Sequence, residues 1–475
     1  MENLRLTLLF SSVSLFRPLL SAPVTQTEPS YIPEPSHRGT FGLLWSCLVT
    51  FGLCVWTTVH LPFMPLEGSR NRFYYKLVVA TGAIIVPEVV LGFAVAERIR
   101  ARKVLKAWQD TWSDEPEYKT WLKMPGAFFV VMGGFMLEVG KNTNTDDLVT
   151  TIHPWGFERL LQKKELFKKL LEDGILTKAH FSCRSINAKS KASGITKLLA
   201  IVQIMWMVVQ CIGRKISGLP ITLLEAHVLI QILYAVVAYV CWWEKPLDIE
   251  EPILLRLDED LLKALGYKAG EESTEFFLTP YFTTEKRDRG GIVRMIARAW
   301  EDCFAICGAK EEGWIGAAAI VNGALHATVW NSHFPTSLEL FLWRISALGL
   351  GALPLVVFLG SWKANITPYG VRELHKLKFK KGYMPFLAMQ AIANTFWWPR
   401  RGIKVKIKPD EDLVKDLTPD LPTWSQYLIC WLSLLNTCAY MLSILYLTVE
   451  AFISMRSLPA GAYSTHSWSN IFPHF

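Results

Sequence analysis

Apolar residues in this chain collect into blocks of about 20, the length a helix needs to cross a bilayer core of roughly 30 Å. The first block, TFGLLWSCLVTFGLCVWTTVHL, covers 40–61 and stops at Pro62. The second, YYKLVVATGAIIVPEVVLGFAVA, covers 74–96 and carries Pro87 and Glu88 near its middle. Two pairs follow. The spans 198–217 and 222–243 are joined by the connector GLPI, and 314–330 and 337–362 by a similarly short turn. Connectors this short dictate antiparallel hairpins. A last block lies at 425–449, which brings the expected number of spans to seven. Tryptophans near several block ends suit interfacial anchoring.

Two segments fit the pattern poorly. GAFFVVMGGFMLEV, 126–139, is short and contains Gly133, Gly134 and Glu138, so it reads as a re-entrant or interfacial piece. LTLLFSSVSLFRPLL, 6–20, looks like a signal-peptide core interrupted by Arg17 and Pro18. The polar stretches between blocks are not low-complexity. PWGFERLLQKKELFKKLLEDGIL, 154–176, sets apolar residues at helical spacing against lysines, with Gly174 as a stop, and predicts an amphipathic helix for the membrane surface or the underside of the bundle. A shorter helix is expected at 253–267.

The expected fold class is therefore all-α: a polytopic transmembrane bundle of about seven spans with helical cytoplasmic loops. The chain divides into a loose or signal-like segment 1–39, two spans in 40–96, a basic helical loop 97–197, a hairpin 198–243, a helical loop 244–313, a second hairpin 314–362, a basic loop 363–424, a last span 425–453 and a tail 454–475. The loops 97–197, 244–313 and 363–424 fall on one side and carry ERIRARKVLK, AKSKASGITK, EKRDRGGIVRMIARAW, RELHKLKFKKGY and RRGIKVKIK. Positive charge in loops marks the cytoplasmic side. A cleaved signal peptide would reverse that orientation, and glycosylation at Asn365-Ile366-Thr367 would place the basic loops in the lumen.

Composition agrees with the pattern: 475 residues are 51% hydrophobic and 19% charged. The formal net charge of +8 sits in loops close to the membrane, with no helix-turn-helix, zinc-finger or RNA-binding signature, so the expected partners are anionic lipid headgroups and not nucleic acid. Nine cysteines, mostly inside apolar blocks, imply no disulfide framework. Cys303 and Cys307 stand four apart, but no further ligands accompany them at zinc spacing, so neither a metal nor another cofactor is expected.

Phosphate loops, nucleophile elbows, His-Glu-x-x-His pairs and aspartate-rich diphosphate motifs are all missing, which weakens an ATP-driven pump, a hydrolase, a zinc protease and a prenyl transferase, while a membrane enzyme can still assemble its site from single residues on different helices. HATVWNSHFPTSLELFLWRISA, 326–347, places His326, Asn331, Glu339 and Arg344 close together. Thr222-Leu-Leu-Glu225 and Thr336-Ser-Leu-Glu339 are capping boxes, which give both glutamates a local role at a helix start. Arg214 is placed to snorkel or to pair with Glu225 across its turn. Arg344 lies about two turns into its span, where an arginine costs about 3 kcal/mol and needs a partner; Glu88 or Glu138 is expected to supply it. His326 shares a helix face with Asn322, and His227 stands beside Glu225.

The blocks RGTFGLLWSCLVTFGLCVWTTVHL, AKSKASGITKLLAIVQIMWMVVQCIGRKISGLPITLLEAHV, YVCWWEKPLD, LHATVWNSHFPTSLELFLWR and FISMRSLPAGAYSTHSWSNIFPHF together resemble a group of fungal multi-pass membrane proteins. The group has no assigned activity, so the resemblance implies a fungal source and a membrane location and no reaction. Ser193 stands where the group would have an acidic residue. Three functional expectations follow. The first is a binding or transport component with Glu88, Arg214, Glu225, His326, Asn331, Glu339 and Arg344 lining a polar interior. The second is a membrane-embedded enzyme or accessory protein acting on a lipophilic metabolite, with His326 as acid or base and Arg344 holding an anionic group. In the third, a structural or assembly role, these residues only lock helices together. Convergence of Glu88, His326 and Arg344 on one opening would favour a site; separate partners would favour locking.

Overall fold

The computed structural model describes residues 27–28, 31–33, 38–61, 69–139, 148–152, 154–188, 194–247, 249, 252–256, 278–279, 309–363 and 423–464. The strands are β1 (Thr27–Glu28), β2 (Phe135–Val139), β3 (Leu148–Ile152), β4 (Ile253–Arg256), β5 (Leu278–Thr279) and β6 (Leu458–Pro459). The first helices are α1 (Thr40–Thr58), α2 (Ser69–Ile85), α3 (Pro87–Thr111) and the short α4 (Pro116–Lys119). A layer of short helices follows: α5 (Met124–Val131), α6 (Pro154–Gln162), α7 (Lys164–Glu172), α8 (Lys178–Phe181) and α9 (Cys183–Ala188). The bundle is completed by α10 (Gly194–Ile216), α11 (Leu223–Cys241), α12 (Ala309–Ala327), α13 (Ser337–Lys363) and α14 (Thr423–Ile453).

The protein is mostly helical, as the hydrophobic pattern predicts, but two small sheets correct the all-α expectation. β1 pairs with β6, tying the N-terminal segment to the C-terminal one. A four-stranded sheet has the order β4-β2-β3-β5, with β2 and β3 antiparallel and β4 added parallel to β2. This sheet joins strands from the stretch after α3 to strands from the stretch after α11.

The sheet overturns two local expectations. Residues 126–139, expected as one short apolar piece, are a helix and a strand: α5 ends, the chain turns, and β2 enters the sheet. Gly133 has φ 83, in the left-handed region. A methyl on Gly134 would meet the Phe129 ring at 2.5 Å. The two glycines thus permit a turn between helix and strand that the hydrophobic run concealed. Residues 253–256 of the expected 253–267 helix are β4, because tertiary pairing with β2 outweighs local helix preference; 257–267 lie outside the described residues. So do Cys303, Cys307, Asn365, Ser193 and the segment 6–20.

The amphipathic stretch 154–176 folds as α6 and α7, and its apolar face packs under α3 rather than on a free surface. Phe157, Phe167 and Phe181 close around Trp108, with ring centroids 6.3, 5.5 and 4.9 Å away. Gly174 stops α7 with φ 71.

Among the described residues, four helices are long and apolar enough to cross a membrane: Thr40–Thr58, Leu198–Ile216, Leu223–Cys241 and Cys438–Arg456. A fifth span exists if Val79–Ile85 and Pro87–Thr111, bent by 115° at their junction, act as one. The expected seven are thus corrected to four or five among the described residues. The block 74–96 is broken because Pro87 has no N–H for the preceding turn; Val86 leaves the helical region (φ −129, ψ 68), and a new helix starts with Pro87 in its first turn. α12 opens on Lys310-Glu311-Glu312 and is not among the candidate spans, and the side chains of α13 beyond residue 354 lie outside the described residues. These two helices nevertheless pack closely together, and α14 packs on α13. α1 packs against both α10 and α11, and α3 lies against α11 and α12.

Candidate functional site

The buried polar residues sort into separate groups rather than one. At the centre, Glu88 opens α3 immediately after the helix break, where the helix dipole favours a carboxylate. One of its oxygens accepts from Tyr440 of α14, and the other from Asn322 Nδ2 of α12 at 3.0 Å. One turn along α12, His326 Nδ1 lies 2.9 Å from the Asn322 backbone carbonyl. A carbonyl only accepts, so Nδ1 carries the proton and Nε2 has a free lone pair. That lone pair faces His227 Nδ1 of α11 at 3.1 Å, which makes His227 the donor. Trp343 of α13 donates to the His326 carbonyl at 3.2 Å. Four helices besides α12 thus reach one chain of hydrogen bonds, and Glu88, His227, Asn322, His326 and Trp343 are all buried. Two acceptors in it, His227 Nε2 and Asn322 Oδ1, have no hydrogen-bond partner.

A second group lies where α10 turns into α11. Thr222 accepts from the Glu225 amide at 3.2 Å, and Glu225 Oε2 accepts from the Thr222 amide at 2.9 Å, the reciprocal capping box read from the sequence. The remaining carboxylate oxygen pairs with Arg38 at 2.5 Å. Burial works against the Arg38 charge, but the adjacent Glu225 carboxylate outweighs it and raises the guanidinium above its ordinary value. Arg214 neither snorkels nor takes Glu225 as its hydrogen-bond partner. It is buried and donates to four carbonyls, those of Pro220, Gly461, Ala462 and Ser464, at 2.8–3.1 Å. Thr40 Oγ1 donates to Tyr463 at 2.9 Å. Together with β1 and β6, these contacts clasp both terminal segments to the α10–α11 turn.

Arg344 does not reach Glu88. It folds back onto the turn of its own hairpin, donating to the Trp330 carbonyl (3.1 and 3.2 Å) and to Asn331 Oδ1 (3.3 Å), with its guanidinium 5.0 Å from the Trp330 ring centroid. The side chain of Glu138, the other expected partner, lies outside the described residues. The second capping box is half-formed: Thr336 accepts from the Glu339 amide at 3.3 Å, while the Glu339 carboxylate pairs with Arg456 beyond α14.

Sequence reasoning missed Tyr440, Arg38 and a further buried pair, Glu97 with Lys245. Lys245 Nζ lies 2.6 Å from Glu97 and 2.7 Å from the His60 carbonyl, and the Trp242 indole donates to the same Glu97 oxygen at 2.5 Å. A charge of each sign at matching block ends, in AVAERIR and YVCWWEKPLD, is the only trace of this pair in the sequence. Among the described residues, no group of three or more His, Cys, Asp or Glu side chains has the geometry for a metal ion.

No curated protein and no solved structure matches the chain. The terminal clasp and Glu88, His227 and Tyr440 lie within residues 8–269 and 418–475, matched by the model of a family of unknown function, DUF8562, whereas Asn322, His326 and Arg344 lie between those stretches; the chain belongs to this family.

Proposed function

We propose that this is a multi-pass integral membrane protein whose buried polar residues lock its helices, giving it a structural or assembly role in the membrane. The apolar residues that stay exposed support the location. They form outward stripes on the candidate spans, such as Phe41, Trp45 and Leu48 on α1 and Ile201, Met205, Val209 and Ile212 on α10. α13 carries a similar stripe in Leu338, Phe341, Ile345 and Leu348. Water would not tolerate such a belt, and lipid would. On this reading the shared-side loops are cytoplasmic, and exposed basic residues of α3 such as Arg102 and Lys106 meet anionic headgroups.

One observation carries the locking role: Glu88 and His326 are held by partners on other helices, while Arg344 is held by its own turn. Separate partners for Glu88 and Arg344 among the described residues support locking over a shared opening. The test measures membrane retention and melting together. Locking requires that the protein resist alkaline carbonate extraction and that Glu88→Ala and His326→Ala lower the melting temperature of the solubilised protein. Unchanged melting in both variants would sink it.

A second reading, a binding or transport component or an enzyme on a lipophilic fungal metabolite, draws on the two unpartnered acceptors, His227 Nε2 and Asn322 Oδ1. Metabolite extracts of a deletion strain separate the two readings. An accumulated precursor favours the enzyme, and an unchanged profile favours locking.

A further inference from the structure

The junction of α2 and α3 leaves one backbone acceptor without its natural donor. In a continuous helix the carbonyl of Ala83 would receive the N–H of residue 87, but that residue is proline. The neighbouring carbonyls are served: Gly82 accepts from the Val86 amide at 2.8 Å, and Ile84 accepts from Gln231 Nε2 of α11 at 3.2 Å. Gln231 thereby commits its nitrogen to the break and turns its oxygen elsewhere. That oxygen, Gln231 Oε1, is buried and has no partner. Both Ala83 and Gln231 line the same small cavity, whose other walls include Pro87, Thr58, Val90 and Tyr234.

The cavity holds about 20 Å³ of space. A single water needs at least about 10–15 Å³ on this measure and two or more polar partners. Gln231 Oε1 has no partner, the Ala83 carbonyl lacks the i+4 donor that Pro87 cannot supply, and both residues line the space; a water molecule has two O–H donors to offer. Thr58 Oγ1 cannot serve Gln231, since it donates to the Cys54 carbonyl at 2.7 Å. The Tyr234 hydroxyl is likewise engaged, donating to the Ala318 carbonyl at 2.7 Å. An acyl carbon could fill the volume but has no proton to give.

We propose that this cavity is a binding site for one ordered water, which donates to Gln231 Oε1 and to the Ala83 carbonyl and so replaces the hydrogen bond that Pro87 cannot make. The water is then part of the bend itself: it satisfies both sides of the break where lipid offers no donor. The site is independent of the locking role, since neither Gln231 nor Ala83 belongs to the Glu88–His326 chain.

The experiment is a density map of the full-length protein in lipid nanodiscs, at a resolution that shows ordered water. One peak within hydrogen-bond distance of both Gln231 Oε1 and the Ala83 oxygen is expected. An empty cavity, or elongated density touching only apolar walls, overturns the proposal. Gln231→Met keeps the side-chain length and removes the oxygen. The peak is expected to disappear in that variant, and its persistence would exclude Gln231 as a ligand. If the variant fails to fold, the wild-type map alone decides.

Discussion

His326 Nε2 receives the Nδ1 proton of His227 across the α12–α11 contact, 3.1 Å away. The Asn322 carbonyl fixes this direction by claiming the other His326 proton. Removing His326 leaves a buried donor on His227 unserved, at a cost of about 1–3 kcal/mol. His326→Ala and His227→Ala are each expected to destabilise by that order, and the double variant by clearly less than their sum. Denaturant or thermal unfolding in detergent measures the coupling, expected at roughly 0.5 kcal/mol or more for groups in contact. Strict additivity would show that the two rings are merely neighbours.

Glu88 holds two donors at once, Tyr440 and Asn322. Glu88→Ala orphans both, and a loss of about 2–4 kcal/mol is expected from two hydrogen bonds to a buried carboxylate. Glu88→Gln is expected to cost less. The Asn322 amide can turn over and present its unpartnered oxygen to the new amide group, while the new carbonyl still accepts from Tyr440. Melting temperatures of the two variants check the order, and an equal loss in both would mean that the charge, not the hydrogen-bond count, matters.

What could be read from the sequence was local. The Thr222–Glu225 box has its partners three residues apart, and Gly174 ends its helix by its own backbone freedom. Arg38, by contrast, finds Glu225 across 187 residues, and nothing near either residue announces the other. The central sheet was invisible for the same reason: β2 and β4 are short, and each acquires its strand form only from the other. Pro87 was visible in the sequence, but not the 115° bend, because proline removes a hydrogen bond without setting a direction. Arg344 was misjudged by counting helical turns from the start of α13. The preceding turn folds back over the helix, so Trp330 and Asn331 reach the guanidinium.

The Arg214 clamp predicts that geometry, not charge alone, holds the C-terminal segment. A guanidinium donates from a planar fork to several carbonyls at once, and an ammonium on a shorter reach cannot copy that pattern. Arg214→Lys is therefore expected to free residues 458–464 while the rest of the bundle stays folded. Limited proteolysis reads this as faster cleavage near the C-terminus than in the wild type. Cleavage at the wild-type rate would contradict the clamp.

The Arg38–Glu225 pair gives a prediction about alkaline pH. Arg38 is held above its ordinary value in the folded protein, so its contribution is complete below the unfolded value and fades only as pH rises through the folded one. An arginine stays protonated throughout the working pH range even when unfolded, which places the loss beyond that range. The destabilisation caused by Arg38→Met, about 3–5 kcal/mol from stranding a buried carboxylate, is thus expected to stay constant between about pH 7 and pH 10. A gap between variant and wild type that narrows across this interval would show that another group carries the pairing.

His333 gives the opposite sign on the acid side. It sits in the α12–α13 turn, with Nε2 3.3 Å from Ser457 Oγ, and partial burial lowers its affinity for a proton below that of a free imidazole. The unfolded chain therefore binds a proton more readily than the folded one, and stability rises with pH through this window. Put the other way, the contribution is present above about pH 6.5, the unfolded value, and is lost as pH falls through the folded value. His333→Gln removes the titrating group while leaving an amide to meet Ser457. The melting temperature of the variant is expected to fall less than that of the wild type between about pH 7 and pH 5, and parallel curves would assign the acid sensitivity to other groups.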